Sequence, residues 1–189
     1  MIRRTFASIA ALAVTVATLT ACSSHVGGQA SPSASGPATT RSTPTTTDDP
    51  SNPFAGMNQC TMLDQLLAGQ GFQPATPSLG DPKRACSANK PITDTEPAIV
   101  AGLGLYPGQK INENLQNPSQ AKPGKINDSG RPVVMEPEPL HSRGQCQINL
   151  QVATNSHANV GMTSGTDTER ACKLVQGLAE KVDPLLPKA

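Results

Sequence analysis

Five cysteines hold most of the chemistry open to this chain of 189 residues. Cys22 ends the run Leu19-Thr20-Ala21-Cys22, behind an apolar stretch from Ile9 to Leu19 and the basic pair Arg3-Arg4. A thiol placed directly after Leu-x-Ala at the end of a secretory signal is the acceptor of a diacylglyceryl group, and the amine freed by cleavage takes a further acyl chain. The other four, Cys60, Cys86, Cys146 and Cys172, are an even set, which in an exported domain reads as two disulfides. Four cysteines permit three pairings. Cys60 to Cys86 spans the same interval as Cys146 to Cys172, and more than twice that separates the two couples, so the local pairs Cys60 with Cys86 and Cys146 with Cys172 are favoured. In the chain-entropy account each closed loop contributes roughly 3.5 kcal/mol. A tetrahedral metal site is the alternative use of the set, and the lack of any Cys-x-x-Cys weighs against it.

The remaining reactive side chains form no catalytic, cofactor-binding or metal constellation in the sequence. His25, His141 and His157 are isolated from one another and from carboxylates at ligand spacing, and read as surface residues. Ser164, within Gly161-Met162-Thr163-Ser164-Gly165, is one place away from the nucleophile position of Gly-x-Ser-x-Gly. Gly102-Leu103-Gly104 lacks the third glycine and the helix that a dinucleotide site requires. Glu136-Pro137-Glu138 pairs two carboxylates that could serve acid-base work or calcium, but its prolines read as a solvated loop.

The elements that must position these residues divide the chain into three parts. Residues 1–21 read as the signal peptide; its apolar core is shorter than the roughly 20 residues a membrane span needs, so cleavage is expected. Residues 22–51, almost entirely Ser, Thr, Pro, Ala and Gly, read as a disordered tether beginning at lipidated Cys22, because such a composition cannot bury enough apolar surface to offset chain entropy. About 28 residues of coil reach roughly 30 Å, or about 85 Å if proline holds them extended. The Thr-rich tract from Thr39 to Thr47 suits O-glycosylation or a bare spacer equally. Residues 52–189 read as one folded domain. Two or three acyl chains on Cys22, each buried methylene contributing roughly 0.8 kcal/mol, would hold the domain durably at the outer face of the plasma membrane.

Composition limits the partners. There is no Trp, one Tyr and three Phe, so the core is thin. Loss of Arg3 and Arg4 with the signal takes the formal charge from +1 to −1 with both signs scattered, which argues against nucleic acid and against an electrostatic membrane patch.

Within the domain, the C-terminal helix is the clearest element. Ala171, Val175, Leu178, Val182 and Leu185 recur at four, three, four and three, making one apolar stripe, and Thr166-Asp167-Thr168-Glu169 fits a capping box with Thr166 as the cap. A second helix is expected from Cys60 to Ala68, capped by Asn58 and stopped by Gly69 and Gly71. Strands are expected over Ala98 to Tyr106, Arg131 to Met135, Cys146 to Ala153 and Ala158 to Met162, the last two joined by the turn Thr154-Asn155-Ser156-His157. Gly108 to Gly130 reads as an exposed excursion. The order implies an α+β fold, a mostly antiparallel sheet with the N- and C-terminal helices on one face and two disulfides.

Asn58-Gln59-Cys60-Thr61-Met62-Leu63, the second cysteine Cys86, Gly130-Arg131-Pro132-Val133, the strand Cys146-Gln147-Ile148-Asn149-Leu150, and Ala171-Cys172-Lys173 leading to Leu186-Pro187 resemble the DUF3558 family of actinobacterial lipoproteins. The resemblance covers nearly all of the domain, and the cysteine order and the Cys22 motif carry most of it. Where that family commonly has a Trp, two residues after the second cysteine, this chain has Ala88. The resemblance implies a two-disulfide envelope domain without an established activity, so it transfers no functional residues.

Three function classes follow: a non-catalytic binding or scaffold module meeting an envelope protein or wall component, a carrier of a lipid or other apolar ligand with a cavity lined by Leu63, Leu67, Val175 and Leu178, and an enzyme with an unfamiliar site. Low titratable density favours the first.

Overall fold

The computed structural model describes residues 52–188; the expected signal peptide and tether, with Cys22 and His25, lie outside the described residues. Seven strands form one sheet, antiparallel at every pairing, and two helices lie against it, as the sequence pattern implies. Helix α1 (Gln59–Leu67) is followed by β1 (Thr76–Pro77), β2 (Ala85–Lys90), β3 (Ile99–Pro107), β4 (Lys122–Lys125), β5 (Pro132–Pro137), β6 (Gln145–Ala153), β7 (Ser156–Ser164) and helix α2 (Thr168–Val182). The order across the sheet is β1-β2-β3-β7-β6-β5-β4.

Strand alternation decides which face the helices cover. Ala101 and Leu103 of β3 pair with Met162 and Val160 of β7, which pair in turn with Cys146 and Ile148 of β6, and all six are buried on one face. Cys86 of β2 stands opposite Leu103 on that same face. Helix α1 packs there over β2 and β3, and α2 over β6 and β7. Both disulfides therefore join a helix to the sheet on one side: Cys60–Cys86, with Cα atoms 5.1 Å apart, fastens α1 to β2, and Cys146–Cys172, 4.9 Å apart, fastens α2 to β6. The pairing matches the one favoured by spacing. Ala88 is buried opposite Ala101, so two small side chains close that position.

The helix ends confirm one cap and correct another. Asn58 caps α1, its side-chain oxygen accepting from the Thr61 amide at 2.9 Å, and Gly69 (φ +74°) ends it. For α2 the cap is Asp167, whose carboxylate accepts from the Arg170 amide at 2.9 Å, and not Thr166. The Asp167 amide donates to the Ser164 carbonyl at 3.0 Å, so the backbone turn out of β7 moves the helix start on by one residue.

Three further expectations are corrected. The β6–β7 turn is Thr154-Asn155 alone, and Ser156 and His157 belong to β7; a register shift between Gln151 and Ala153 adjusts the pairing there. Residues 108–130 are not a bare excursion, since they carry a 3₁₀ turn (Pro118–Gln120) and the edge strand β4, and bury Asn117 and Ile126. Glu136-Pro137 is the end of β5, and Glu136 is fully buried.

Candidate functional site

On the helix-bearing face, α1 and α2 stand apart over one end of β3 and β7 and leave a groove of about 500 Å³. Its floor is apolar: Ile99 and Met162 rise from the sheet, Leu66 and Leu67 come from α1, and Leu174 and Leu178 from α2. Phe72 closes one end, placed there by the backbone reversal through Gly69 and Gly71 (φ +74° and +81°), which L side chains rarely adopt. The volume lies in the range of small-molecule sites.

The rim is charged and mostly cationic. Glu96 bonds the Lys90 ammonium at 2.8 Å and the Arg170 guanidinium at 3.1 Å, tying β2, the β2–β3 connection and α2 together across the groove. The Lys90 ammonium beside Glu96, with Arg170 adding to it, holds that carboxyl below the usual carboxylate range. Lys173 and Lys181, both exposed and both on the rim, take part in none of the ion pairs among the described residues. Between them lies Gly177, where an added Cβ would meet nothing within 4 Å.

Of the four side chains expected to line an apolar cavity, Leu67 and Leu178 do line the groove, whereas Leu63 and Val175 are sealed in the core at 0% exposure. The stripe of α2 fixed which face would be inward, but not where α1 would leave a gap beside it.

The opposite face of the sheet holds the polar groups that sequence reading had placed in solvent. Glu136 accepts from the Asn117 amide and from the Gln147 side chain. Asn159 donates to Gln147 (3.2 Å) and Asn149 (2.7 Å), and Asn149 donates to the Ile111 carbonyl at 3.0 Å. This network pins the segment after β3 across β5, β6 and β7, which is why Glu136 is a strand residue under cover and not a solvated one.

His157 is likewise buried, at 1% exposure, not on the surface. Its Nδ1 lies 2.9 Å from the Gln109 carbonyl, which only accepts, so that nitrogen carries the proton. Its ring stacks on Tyr106 at 5.1 Å, and Arg84 covers the same Tyr ring, also at 5.1 Å. Burial pushes the His157 pKa below 6.5 and Arg84 adds to this, while the Gln109 bond and Glu113 oppose it. Burial also raises Tyr106, with Asp81 reinforcing. Because the folded-state pKa of His157 is depressed, the unfolded chain takes up the proton first; stability from this site is complete above about pH 6.5 and is lost as pH falls. The melting temperature should therefore drop as the pH falls below about 6.5, and His157→Gln should flatten that slope. An equal slope in the variant would assign the acid sensitivity elsewhere.

Ser164 is fully buried at the end of β7 with no partner for its hydroxyl, and Gly102-Leu103-Gly104 is mid-strand, with the Tyr106 ring lying over Gly104. His141 is exposed at φ +57° next to the exposed Leu140. Arg131, expected above only as the first residue of a strand and part of a motif, is a buried residue that pairs with Asp183; nothing local in sequence links positions so far apart. Among the described residues no helix is long and apolar enough to cross a membrane. Compared with known proteins, the chain matches no family model, no curated protein and no solved structure.

Proposed function

We propose that this chain is a lipid-anchored protein of the cell envelope, held by acyl chains on Cys22 at the outer face of the plasma membrane, whose domain is a non-catalytic binding module. The groove between α1 and α2 is its binding site, and that groove is the observation on which the reading rests. The four most buried ionisable groups support a non-catalytic role: Glu136, His157, Arg131 and Asp183 are each bonded into the framework, away from the groove. Membership of the DUF3558 lipoproteins is proposed on the order of Cys60, Cys86, Cys146 and Cys172 together with the Leu19 to Cys22 motif.

The second reading, a carrier of an apolar ligand, is favoured by one observation, the apolar floor to which Leu67 and Leu178 contribute. With Leu63 and Val175 sealed, such a ligand would lie along the surface and not inside the core.

Two experiments test the proposal. Cys22→Ser should release the protein to the medium or leave it unprocessed; an unchanged membrane partition would refute the anchor. For the groove, a photo-crosslinking residue introduced at Gln70, an exposed position on the groove's edge, should form adducts in intact envelopes that the same residue at the fully exposed Leu79 does not. No adduct of protein, wall material or lipid at Gln70 above the Leu79 control would sink the groove as the binding site.

A further inference from the structure

Position 177 is an unusual place for a glycine. It lies well inside α2, where glycine costs up to about 1 kcal/mol relative to alanine. No positive φ requires it, and no neighbour crowds the place a Cβ would occupy. What the missing side chain leaves is room above the groove. Lys173, Gly177 and Lys181 are spaced four and four along α2, so they form one stripe down the rim, with each lysine Cα about 6 Å from Gly177 along the axis. That is within reach of a lysine side chain: Lys181, which leans toward the helix N-terminus, can bring its ammonium over the bare backbone at Gly177, and Lys173 adds a second positive charge at the far side of the gap. On the facing rim, Glu96 is engaged by Lys90 and Arg170, which leaves the groove with a cationic excess above an apolar floor.

Resting on the reading of this groove as a binding site, we propose that its ligand is a single-chain amphiphile with an anionic headgroup, taken up as a free molecule. The acyl chain lies along Leu174, Leu178, Ile99 and Met162 toward Phe72, and the carboxylate or phosphate sits over Gly177 between Lys173 and Lys181. Burying the chain supplies the affinity, at roughly 25 cal/mol per Å² of apolar surface removed from water, and the two lysines select charge. The proposal fixes one arrangement only: cations at the saddle, hydrocarbon beneath it.

The test uses the exported full chain carrying Cys22→Ser and two probes, the fluorescent fatty acid cis-parinaric acid and its methyl ester. The acid should bind more tightly than the ester by about tenfold or more, the factor equivalent to roughly 1.4 kcal/mol. Replacing both lysines, Lys173→Ser with Lys181→Ser, should abolish that preference, bringing the ratio of acid to ester affinity to about one. Gly177→Leu should weaken both probes while the melting temperature holds or rises, since leucine is the better helix former. An alkyl phosphate that displaces the acid would place phosphate heads in the same saddle; one that does not would restrict the ligand to carboxylates. Equal binding of ester and acid would overturn the anionic class while leaving the groove in use. Binding untouched by Gly177→Leu in a folded variant would put the ligand elsewhere and overturn the assignment. Absence of binding by either probe would overturn it too, and the crosslinking at Gln70 would then decide separately whether the groove binds anything. Lysine-dependent adsorption to anionic vesicles without uptake of the probe would reassign the saddle to a bilayer surface.

Discussion

Arg131→Ala should destabilise the domain by about 3 to 5 kcal/mol, the range found when one partner of a buried ion pair is removed. For a small domain of ordinary stability this is a third or more of the total. Arg131 and Asp183 are each less than a tenth exposed, and the guanidinium spends its donors on three acceptors: Nε on the Asp183 carboxylate, Nη1 on the Gln151 carbonyl at 2.7 Å and Nη2 on the Pro187 carbonyl at 3.0 Å. One side chain at the start of β5 thus holds the end of β6 and the chain just beyond α2. Truncation strands a buried carboxylate and two carbonyls together, which is why the loss should exceed that of a surface pair, typically below about 1 kcal/mol. Urea unfolding measures it: the midpoint should fall with little change in slope. The double replacement Arg131→Met with Asp183→Leu should recover most of the loss, because no charge is then left buried without a partner. A single-variant loss under about 1 kcal/mol would mean that water reaches the pair.

Little of this clamp could be read beforehand. Local periodicity made α2, β3 and β6 legible: a stripe at helical spacing, the apolar residues Ile99, Val100, Leu103 and Leu105, and the alternation Cys146, Ile148, Leu150, Val152. Equal intervals between cysteines made the disulfide pairing legible. Strand β2 was not, because Ala-Cys-Ser-Ala-Asn-Lys contains no branched or aromatic side chain and becomes a strand through its partners β1 and β3. Strand β4, Lys-Pro-Gly-Lys, tolerates its proline only because it is an edge. Glu136 was misread for a related reason. Its neighbours Pro137 and Glu138 look like a solvated loop, the amide side chains that alternate with apolar ones along β6 normally mark a wet face, and only the tertiary path of residues 108–120 buries Glu136 and Asn149. The groove was half legible. Leu67 and Leu178 were in the expected set, but its rim depends on where Glu96 and Arg170 meet, a contact between segments far apart in the chain.

Removal of the Cys146–Cys172 bridge by a double Cys→Ala replacement should cost about 2 to 5 kcal/mol, a loss comparable to that of Arg131→Ala. The entropic part comes from the unfolded chain, whose closed loop reopens. The folded state should change little, because Cys146 is buried at the centre of the helix-bearing face and Ala171, Val175 and Leu178 keep α2 seated. The Cys60–Cys86 bridge closes a loop of the same length, so the same account predicts a similar loss for its removal. The short α1, with nine residues, is marginal by itself and should be the first element to lose amide protection. Unfolding midpoints of the two double variants, with hydrogen exchange on each, would separate these effects. A loss below about 1 kcal/mol at Cys146–Cys172 would show that packing alone holds α2 and that the bridge is redundant.

The position of the Cys60–Cys86 bond also sets how the domain bears mechanical load. A pull on the polypeptide ahead of Asn52 enters through the start of α1, and unravelling of that helix is arrested at its second residue, Cys60, where tension passes through sulfur into β2. From there it is shared sideways by backbone bonds to β3 on one flank and to the short β1 on the other. Traction from that end therefore meets a covalent stop before it reaches the floor of the groove.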